Sequence, residues 1–307
     1  MSAPGRPSST LPDPGARRLA VALLFLTPAL WSANYLVARW APGVIAPHML
    51  ALWRWLVAAL LMLPFCAHEI VRERAAVRAQ AWRFLVLGAL GMWVCGAFVY
   101  IGGHSTSALN IGLIYAVSPV LVALVSALGL GERFGARQWA GVALALGGVL
   151  HIVLQGRWGA LADVRVNTGD LWIAAAALCW SAYALLLRLW PSPVGGTARL
   201  TLTALGGVLV LLPFTALEAA WGGWPSTFGW RSVGLVLLAA VLPGAGAYAA
   251  FAYMQRVLGA ARAGVVLYLS PLYAALTGWL VLGEPVTGVH LAGAALILPG
   301  IWLSTRR

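Results

Sequence analysis

The chain has 307 residues, of which 62% are hydrophobic and only 9% are charged, and its formal net charge at pH 7 is +12. Soluble globular domains carry about 25% charged residues, so this composition excludes a soluble domain and indicates an integral membrane protein. All of the basic residues are arginine. The absence of lysine excludes a Walker A loop and a Schiff-base enzyme.

Apolar stretches of the length that a bilayer-spanning helix needs, roughly 20 residues, recur along the whole chain. They are continuously apolar and lack the alternation of barrel strands, so the predicted fold class is an all-α integral membrane protein. In chain order the ten predicted transmembrane helices cover residues 19–40, 46–67, 84–103, 107–130, 136–155, 169–189, 195–217, 232–254, 260–282 and 287–303. Residues 1–18, rich in proline, serine and glycine, are predicted to form a disordered cytoplasmic tail.

The arginines predict the orientation of these helices. With the N-terminus inside, fifteen arginines lie in cytoplasmic segments, and four lie on the other face: Arg39, Arg157, Arg165 and Arg231. This bias is the positive-inside signal, so we expect a multi-pass protein of a bacterial inner membrane with both termini in the cytoplasm. Topology and anionic lipid explain the basic charge, and no nucleic-acid partner is predicted.

An internal repeat divides the chain into two halves. Positions 118 and 270 both begin a Ser-Pro that is followed by glutamate, at residues 132 and 284. At an offset of 152 residues the matched pairs are Gly112/Gly264, Ser118/Ser270, Pro119/Pro271, Gly131/Gly283, Glu132/Glu284, Gly141/Gly293 and Gly148/Gly300, and at an offset of 149 the Trp-Ser-Ala at 31–33 matches that at 180–182. We therefore predict five-helix repeats at 19–155 and 169–305, joined by an extracytoplasmic linker at 156–168. Because five is odd, the second repeat is inverted, which favours alternating access.

A tryptophan-led first helix in each half, Arg54 in the second helix, and the Pro…Gly-Glu pattern on helices four and nine resemble the EamA family of the drug/metabolite transporter superfamily. The resemblance covers roughly residues 19–305. The aromatic-rich helices resemble in particular the bacterial amino-acid exporters of the YddG type. This resemblance implies a secondary transporter that exports aromatic and other neutral amino acids.

The candidate substrate site consists of intramembrane polar and aromatic residues. Arg54 is the only charge well inside a predicted span, so it faces a cavity or extends towards an interface. The other candidates are Trp31, Asn34, Trp93, Tyr100, Tyr115, Ser118, Trp180, Tyr183, Tyr248, Tyr268 and Ser270. Trp93 and Tyr100 are seven residues apart, which predicts one shared helix face.

Two matched prolines, Pro119 and Pro271, lie near the middle of their spans. Each removes a backbone donor and frees a carbonyl, so we predict a kink that serves gating or substrate contact; a kink used only for packing is the alternative. The glycines seven residues apart on helices five and ten indicate close helix contact, within one chain or in a homodimer through these helices.

The acidic residues all fall in tails, loops or helix ends, so the sequence predicts no central proton relay or cation site. Glu132 and Glu284 follow glycines and are expected near the N-terminus of the next helix as structural residues. No catalytic motif is present, and neither a cofactor nor a metal is predicted. The partners expected are a small-molecule substrate and the lipid bilayer; export of other metabolites or drugs, a membrane-embedded enzyme and a channel remain alternatives.

The predicted topology places residue 132 in the cytoplasm and residue 284 outside. Single cysteines at these positions should therefore react with a membrane-impermeant maleimide from opposite sides of sealed vesicles. Labelling of position 284 only from the cytoplasmic side would contradict the topology.

Overall fold

The computed structural model describes residues 14–118, 120–122, 125, 135–160, 167–223, 226–227, 229–258 and 265–305, and the regular elements in these ranges are all helical. Their ten principal helices are α1 Pro14–Trp40, α2 Pro47–Met62, α3 Ala81–Gly102, α4 Ala108–Val122, α5 Ala136–Val153, α6 Thr168–Leu189, α7 Gly196–Trp221, α8 Trp230–Leu258, α9 Val265–Leu282 and α10 Gly288–Thr305. Two short helices, Ala67–Arg72 and Arg74–Ala79, join α2 to α3. The predicted all-α membrane fold is confirmed.

Six of these helices are long and apolar enough to cross a membrane by length and composition, counting only residues that the structure describes. They are α1, α2 with its extension to Phe65, α3, α6, α7 and α8. Helix α4 and the segments Leu269–Leu282 and Gly288–Leu303 are shorter apolar helices. Helix α1 begins at Pro14, inside the segment predicted as a tail. In the predicted linker, Trp158–Ala160 forms a 3-10 turn, and residues 161–166 lie outside the described ranges.

The glycines of α5 and α10 pack these two helices against each other within one chain. A Cβ added at Gly148 would lie 2.9 Å from the carbonyl oxygen of Gly293, and one added at Gly300 would lie 2.5 Å from the backbone nitrogen of Ala145. Backbones approach this closely only where side chains are absent. The stripes that suggested a homodimer are therefore buried inside the monomer, and a dimer is not shown.

Helices α3 and α8 each contain a π-helical segment, at Ala89–Val94 and Ala240–Gly246. The two segments occupy equivalent places in the two halves. Each π turn adds residues to the helical repeat and rotates the side chains that follow it relative to those before it. The sequence analysis treated α3 as a regular helix and missed this rotation.

Two equivalent glutamates, Glu69 and Glu218, cap helices of the opposite half. The Glu69 carboxylate accepts a hydrogen bond from the backbone N–H of Gly195, just before α7, at 2.8 Å. Glu218, at the other end of α7, accepts from the N–H groups of His48 and Met49 in the first turn of α2, at 3.0 and 3.2 Å. Unpaired N–H groups of a helix start favour a carboxylate. The α2–α7 pair is thus fastened at both ends.

A third carboxylate, Asp170, is fully buried at the start of α6. It accepts hydrogen bonds from the hydroxyl of Thr106 and, at 3.2 Å, from the side-chain amide of Asn110. Both donors belong to the first half, at the α3–α4 turn and the start of α4. This acid therefore also joins the two halves.

Two neighbouring glycines of α5 test the α5–α10 contact. Gly148→Ala should lower the free energy of unfolding by about 1–3 kcal/mol, because the added methyl group overpacks a backbone contact. Gly147→Ala should leave it unchanged or raise it by up to about 1 kcal/mol, since a Cβ there meets nothing within 4 Å and alanine is the better helix former. Thermal unfolding of both variants in detergent measures the difference; equal shifts would show that the contact is not tight.

Candidate functional site

A cavity of about 160 Å³ lies among α1, α2, α3, α4, α6, α8 and α9. This volume is several times what a single buried water requires. Its wall on α4 begins at Tyr115 and extends to Val122, and its wall on α6 includes Trp180 and Ala184. On α3 the lining residues Gly91 and Cys95 lie near the middle of the helix, so the cavity lies within the bundle.

Both halves contribute equivalent positions to the cavity wall. At the repeat offsets, the pairs in which both members line the cavity are Trp31/Trp180, Tyr35/Ala184, Gly91/Pro243 and Ser118/Ser270. Gly91 and Pro243 both belong to the π-helical segments. The cavity is thus built around the pseudo-two-fold axis that relates the repeats.

Arg54 of α2 lies in the cavity wall, with only 5% of its surface exposed. Its Nη1 donates to the side-chain oxygen of Asn34 at 2.9 Å and to the hydroxyl of Tyr100 at 3.1 Å. The Tyr100 hydroxyl donates in turn to the same Asn34 oxygen at 2.9 Å. The guanidinium also lies over the ring of Trp55, 4.6 Å from its centroid. These three side chains hold the cation in a fixed orientation and exclude an extension to the interface.

The charge of Arg54 is not neutralised within the part of the chain that the structure describes. The ion pairs there are Arg39–Glu284, His48–Glu218 and Arg72–Glu73. Within the same ranges the Nε of Arg54 and the hydroxyl of Ser118 are buried without a hydrogen-bond partner. The position equivalent to Arg54 in the second half is Thr203. The cavity wall therefore carries a cation from one half only.

Aromatic rings form much of the remaining wall. The ring of Tyr248 lies 6.2 Å from Trp31, 5.9 Å from Trp55 and 6.3 Å from Trp180, each in an edge-to-face arrangement. Such pairs are a favoured geometry for aromatic contact. The rings therefore form a preorganised apolar surface beside Arg54.

Eight of the predicted binding residues line the cavity: Trp31, Asn34, Arg54, Tyr115, Ser118, Trp180, Tyr248 and Ser270. Tyr100 lies behind this wall and contacts Arg54 and Asn34. Tyr183 is also behind the wall, with its ring centroid 5.1 Å from that of Trp180. The side chain of Tyr268 lies outside the described part of the structure, as does Pro119, whereas Pro271 is buried inside α9.

The structure does not place Trp93 at the cavity. Its ring instead stacks on Phe214 of α7, with centroids 3.8 Å apart. The prediction that Trp93 and Tyr100 share a face assumed a regular α-helix, but Trp93 lies inside the π-helical segment Ala89–Val94 and Tyr100 lies in the α-helical part that follows it.

Eight of the described residues that line the cavity were not among the predicted ones: Tyr35, Trp55, Gly91, Cys95, Ala116, Val122, Ala184 and Pro243. Gly91 and Pro243 could have been selected together, because they occupy equivalent positions at the repeat offset. Tyr35 follows Asn34 directly and Trp55 follows Arg54, so helical periodicity alone did not select them.

A family model of EamA-like transporters matches the chain twice, over residues 18–154 and 167–306. The chain belongs to the EamA-like transporter family. Each match contains five of the ten helices, α1–α5 and α6–α10. As an EamA-like protein it is a multi-pass membrane transporter and not an enzyme.

Several proteins are similar to this EamA-like transporter over most of their length. The uncharacterized transporter YdfC of Bacillus subtilis (strain 168) is 29% identical, with 88% of each chain covered. A probable terminal-alkyne amino-acid exporter of Streptantibioticus cattleyicolor is 27% identical, with 92% of this chain and 95% of that protein covered. A solved crystal structure matches with a TM-score of 0.61 and 23% identity over 93% of this chain and 96% of the other, which shows the shared fold.

Replacement of Tyr100 by phenylalanine tests the hydrogen bonds that hold Arg54. Tyr100→Phe removes the hydrogen bonds of the hydroxyl with the buried Arg54 and with Asn34. It should therefore lower the free energy of unfolding by about 1.5–3 kcal/mol. Tyr253→Phe is the matched control, since that hydroxyl only reaches the Ala16 carbonyl at 3.5 Å, and it should change the same quantity by less than about 0.5 kcal/mol. Thermal unfolding in detergent gives both values, and equal losses would contradict the role assigned to Tyr100.

Proposed function

We propose that this transporter exports small zwitterionic metabolites, foremost neutral and aromatic amino acids, by alternating access through the central cavity. The observation that carries the proposal is the buried Arg54, whose hydrogen-bond partners are the neutral side chains of Asn34 and Tyr100. A cation at this depth is costly without a counter-ion, so intramembrane arginines mark substrate paths by default. A substrate carboxylate supplies the missing negative charge and accepts charge-assisted hydrogen bonds.

The aromatic wall suits the rest of such a substrate. The rings of Trp31, Trp55, Trp180 and Tyr248 offer flat apolar surface to a hydrophobic or aromatic side chain. Their faces also attract an ammonium group through cation–π contact. Sugar phosphates and nucleotide sugars need several cationic groups, and of the described residues that line this cavity only Arg54 is cationic.

The distribution of carboxylates favours transport down the substrate's own gradient. No acidic residue is among the described residues that line the cavity, and the buried acids within the described ranges, Asp170 and Glu218, accept hydrogen bonds at helix starts. A proton or sodium relay of the common kind needs a carboxylate in the path. We therefore expect export without obligatory ion coupling, across a bacterial inner membrane with both termini in the cytoplasm.

The relative described as a probable amino-acid exporter supports the substrate class at 27% identity. A YddG-type specificity stays a prediction. Export of another small metabolite or of a drug is the alternative that the experiment below distinguishes.

Counterflow in proteoliposomes without an imposed ion gradient tests the proposal. Labelled phenylalanine, tryptophan, methionine and threonine should exchange saturably, whereas phenylethylamine, which has the phenylalanine side chain and no carboxylate, should exchange poorly. Arg54→Gln should raise the KM for phenylalanine about 10- to 100-fold, as expected from lost charge-assisted hydrogen bonds. The KM of Arg54→Lys should lie between those of the parent and Arg54→Gln, because lysine keeps the charge but lacks the planar guanidinium group.

A matched pair of tryptophans controls for general damage. Trp180→Ala removes a cavity wall and should raise the KM for phenylalanine by about tenfold, within the range for loss of an aromatic contact. Trp93→Ala removes a ring that stacks on Phe214 outside the cavity and should leave the KM unchanged. Efficient transport of a sugar phosphate alone would overturn the substrate class, and strict dependence on a pH gradient would overturn uncoupled transport.

A further inference from the structure

The bundle is closed by a carboxylate at the end where α1 and α9 finish and α4 begins. Glu284, just after α9, accepts hydrogen bonds from the backbone N–H of Ala108 at 2.9 and 3.2 Å and from Arg39 Nε at 3.0 Å. Arg39 also donates to the carbonyl of Gly103 at 2.8 Å. The sequence analysis expected Glu284 near the start of the next helix, α10, whereas it caps α4 of the opposite half. We call Glu284, Arg39 and Ala108 the latch.

The latch lies beyond a tight contact between α4 and α9. A Cβ added at Gly112 would lie 2.2 Å from the Cβ of Ala274, so the two helices touch there without intervening side chains. This contact and the latch separate the cavity from one end of the bundle. Burial, and then the positive charge of Arg39, lower the pKa of the adjacent His104, so the imidazole adds no second cation near neutral pH.

The contacts between the halves are of two kinds: the pseudo-two-fold axis maps some of them onto themselves and maps the others onto a different position. Glu69 and Glu218 are equivalent at an offset of 149 residues, and each caps a helix of the other half. If the halves exchange conformations, this pair of contacts is converted into itself and is kept in both states. It fastens the α2–α7 pair, which therefore acts as a fixed frame.

The latch is a contact of the other kind. At the repeat offsets, Glu284 corresponds to Glu132, Arg39 to Arg188, and the start of α4 to residue 260. Glu132 and residue 260 lie outside the described ranges, and the correspondence rests on the sequence register. The same exchange of conformations moves this contact to the opposite end of the bundle. In an alternating-access cycle, the contact at the end that opens must break.

We propose that Glu284, Arg39 and the first turn of α4 form a gate that closes one end of the cavity. This inference rests on the alternating access in the proposed function and not on the substrate. In this gate a carboxylate bridges an arginine and a helix start, and both bonds are lost together when the helices separate. Loss of one gate biases the protein towards the state that is open at that end.

Accessibility of a cysteine in the cavity tests the gate without any substrate. Ala184→Cys, in a chain whose three native cysteines are replaced by alanine, places one thiol in the cavity wall. An impermeant maleimide is added to sealed vesicles from the side of residue 284 or from the other side. Glu284→Gln should raise the labelling rate from its own side about tenfold, as expected when charge-assisted hydrogen bonds of one state are lost.

Glu218→Gln is the matched control, because it also weakens a carboxylate cap on a helix start but lies in the fixed frame. It should lower thermal stability and leave labelling from both sides unchanged. Equal labelling of the parent and Glu284→Gln, or the same increase in Glu218→Gln, would overturn the gate. If Glu284→Gln does not reach the membrane, Arg39→Gln carries the same test, since the arginine side chain is 33% exposed. A wrong substrate class changes none of these labelling results.

Discussion

A lipid interior offers no water to hydrogen-bond with backbone groups or charges, so each must find its partner within the bundle. The helices satisfy most of their own backbone groups and leave the first-turn N–H groups unpaired. In this transporter the carboxylates of Glu69, Glu218 and Glu284 accept from those groups, each across the boundary between the halves. Asp170 also accepts across this boundary, from the side chains of Thr106 and Asn110. These four acids therefore connect the two halves, and none of them lines the cavity.

The duplication makes the helix frame symmetric, whereas the side-chain chemistry of the cavity is asymmetric. Tryptophans, serines and the π-helical positions line the cavity as equivalent pairs. The position equivalent to Arg54 in the other half, in contrast, holds Thr203. A symmetric frame allows two states of similar energy, which alternating access needs. A single cation among the described lining residues gives the proposed site one orientation, so in the proposed function a zwitterion would bind with its carboxylate towards the first half in either state.

The contacts between the halves have two physical roles, set by their relation to the pseudo-two-fold axis. Those between equivalent residues, the Glu69/Glu218 caps and the glycine contact of α5 with α10, persist when the halves exchange conformations. The Glu284 contact with α4 does not map onto itself, and in the proposed gate it breaks when that end opens. Glycine serves both kinds of contact: Gly148 and Gly300 in the frame, Gly112 at the closed end.

The sequence by itself determined the membrane class, the ten helices and the two repeats, because these follow from apolar length, arginine distribution and a register that is visible in the letters. It also selected most of the cavity residues, since Arg54, Trp31 and Trp180 are conspicuous within apolar helices. Only the tertiary structure decided which aromatic rings meet: the π-helical segment of α3 turns Trp93 away from the cavity, and no composition signal marks such a turn. The sequence also did not reveal which helix Glu284 caps, because a carboxylate caps whichever helix start lies near it in space. That helix belongs to the opposite half, 176 residues away along the chain.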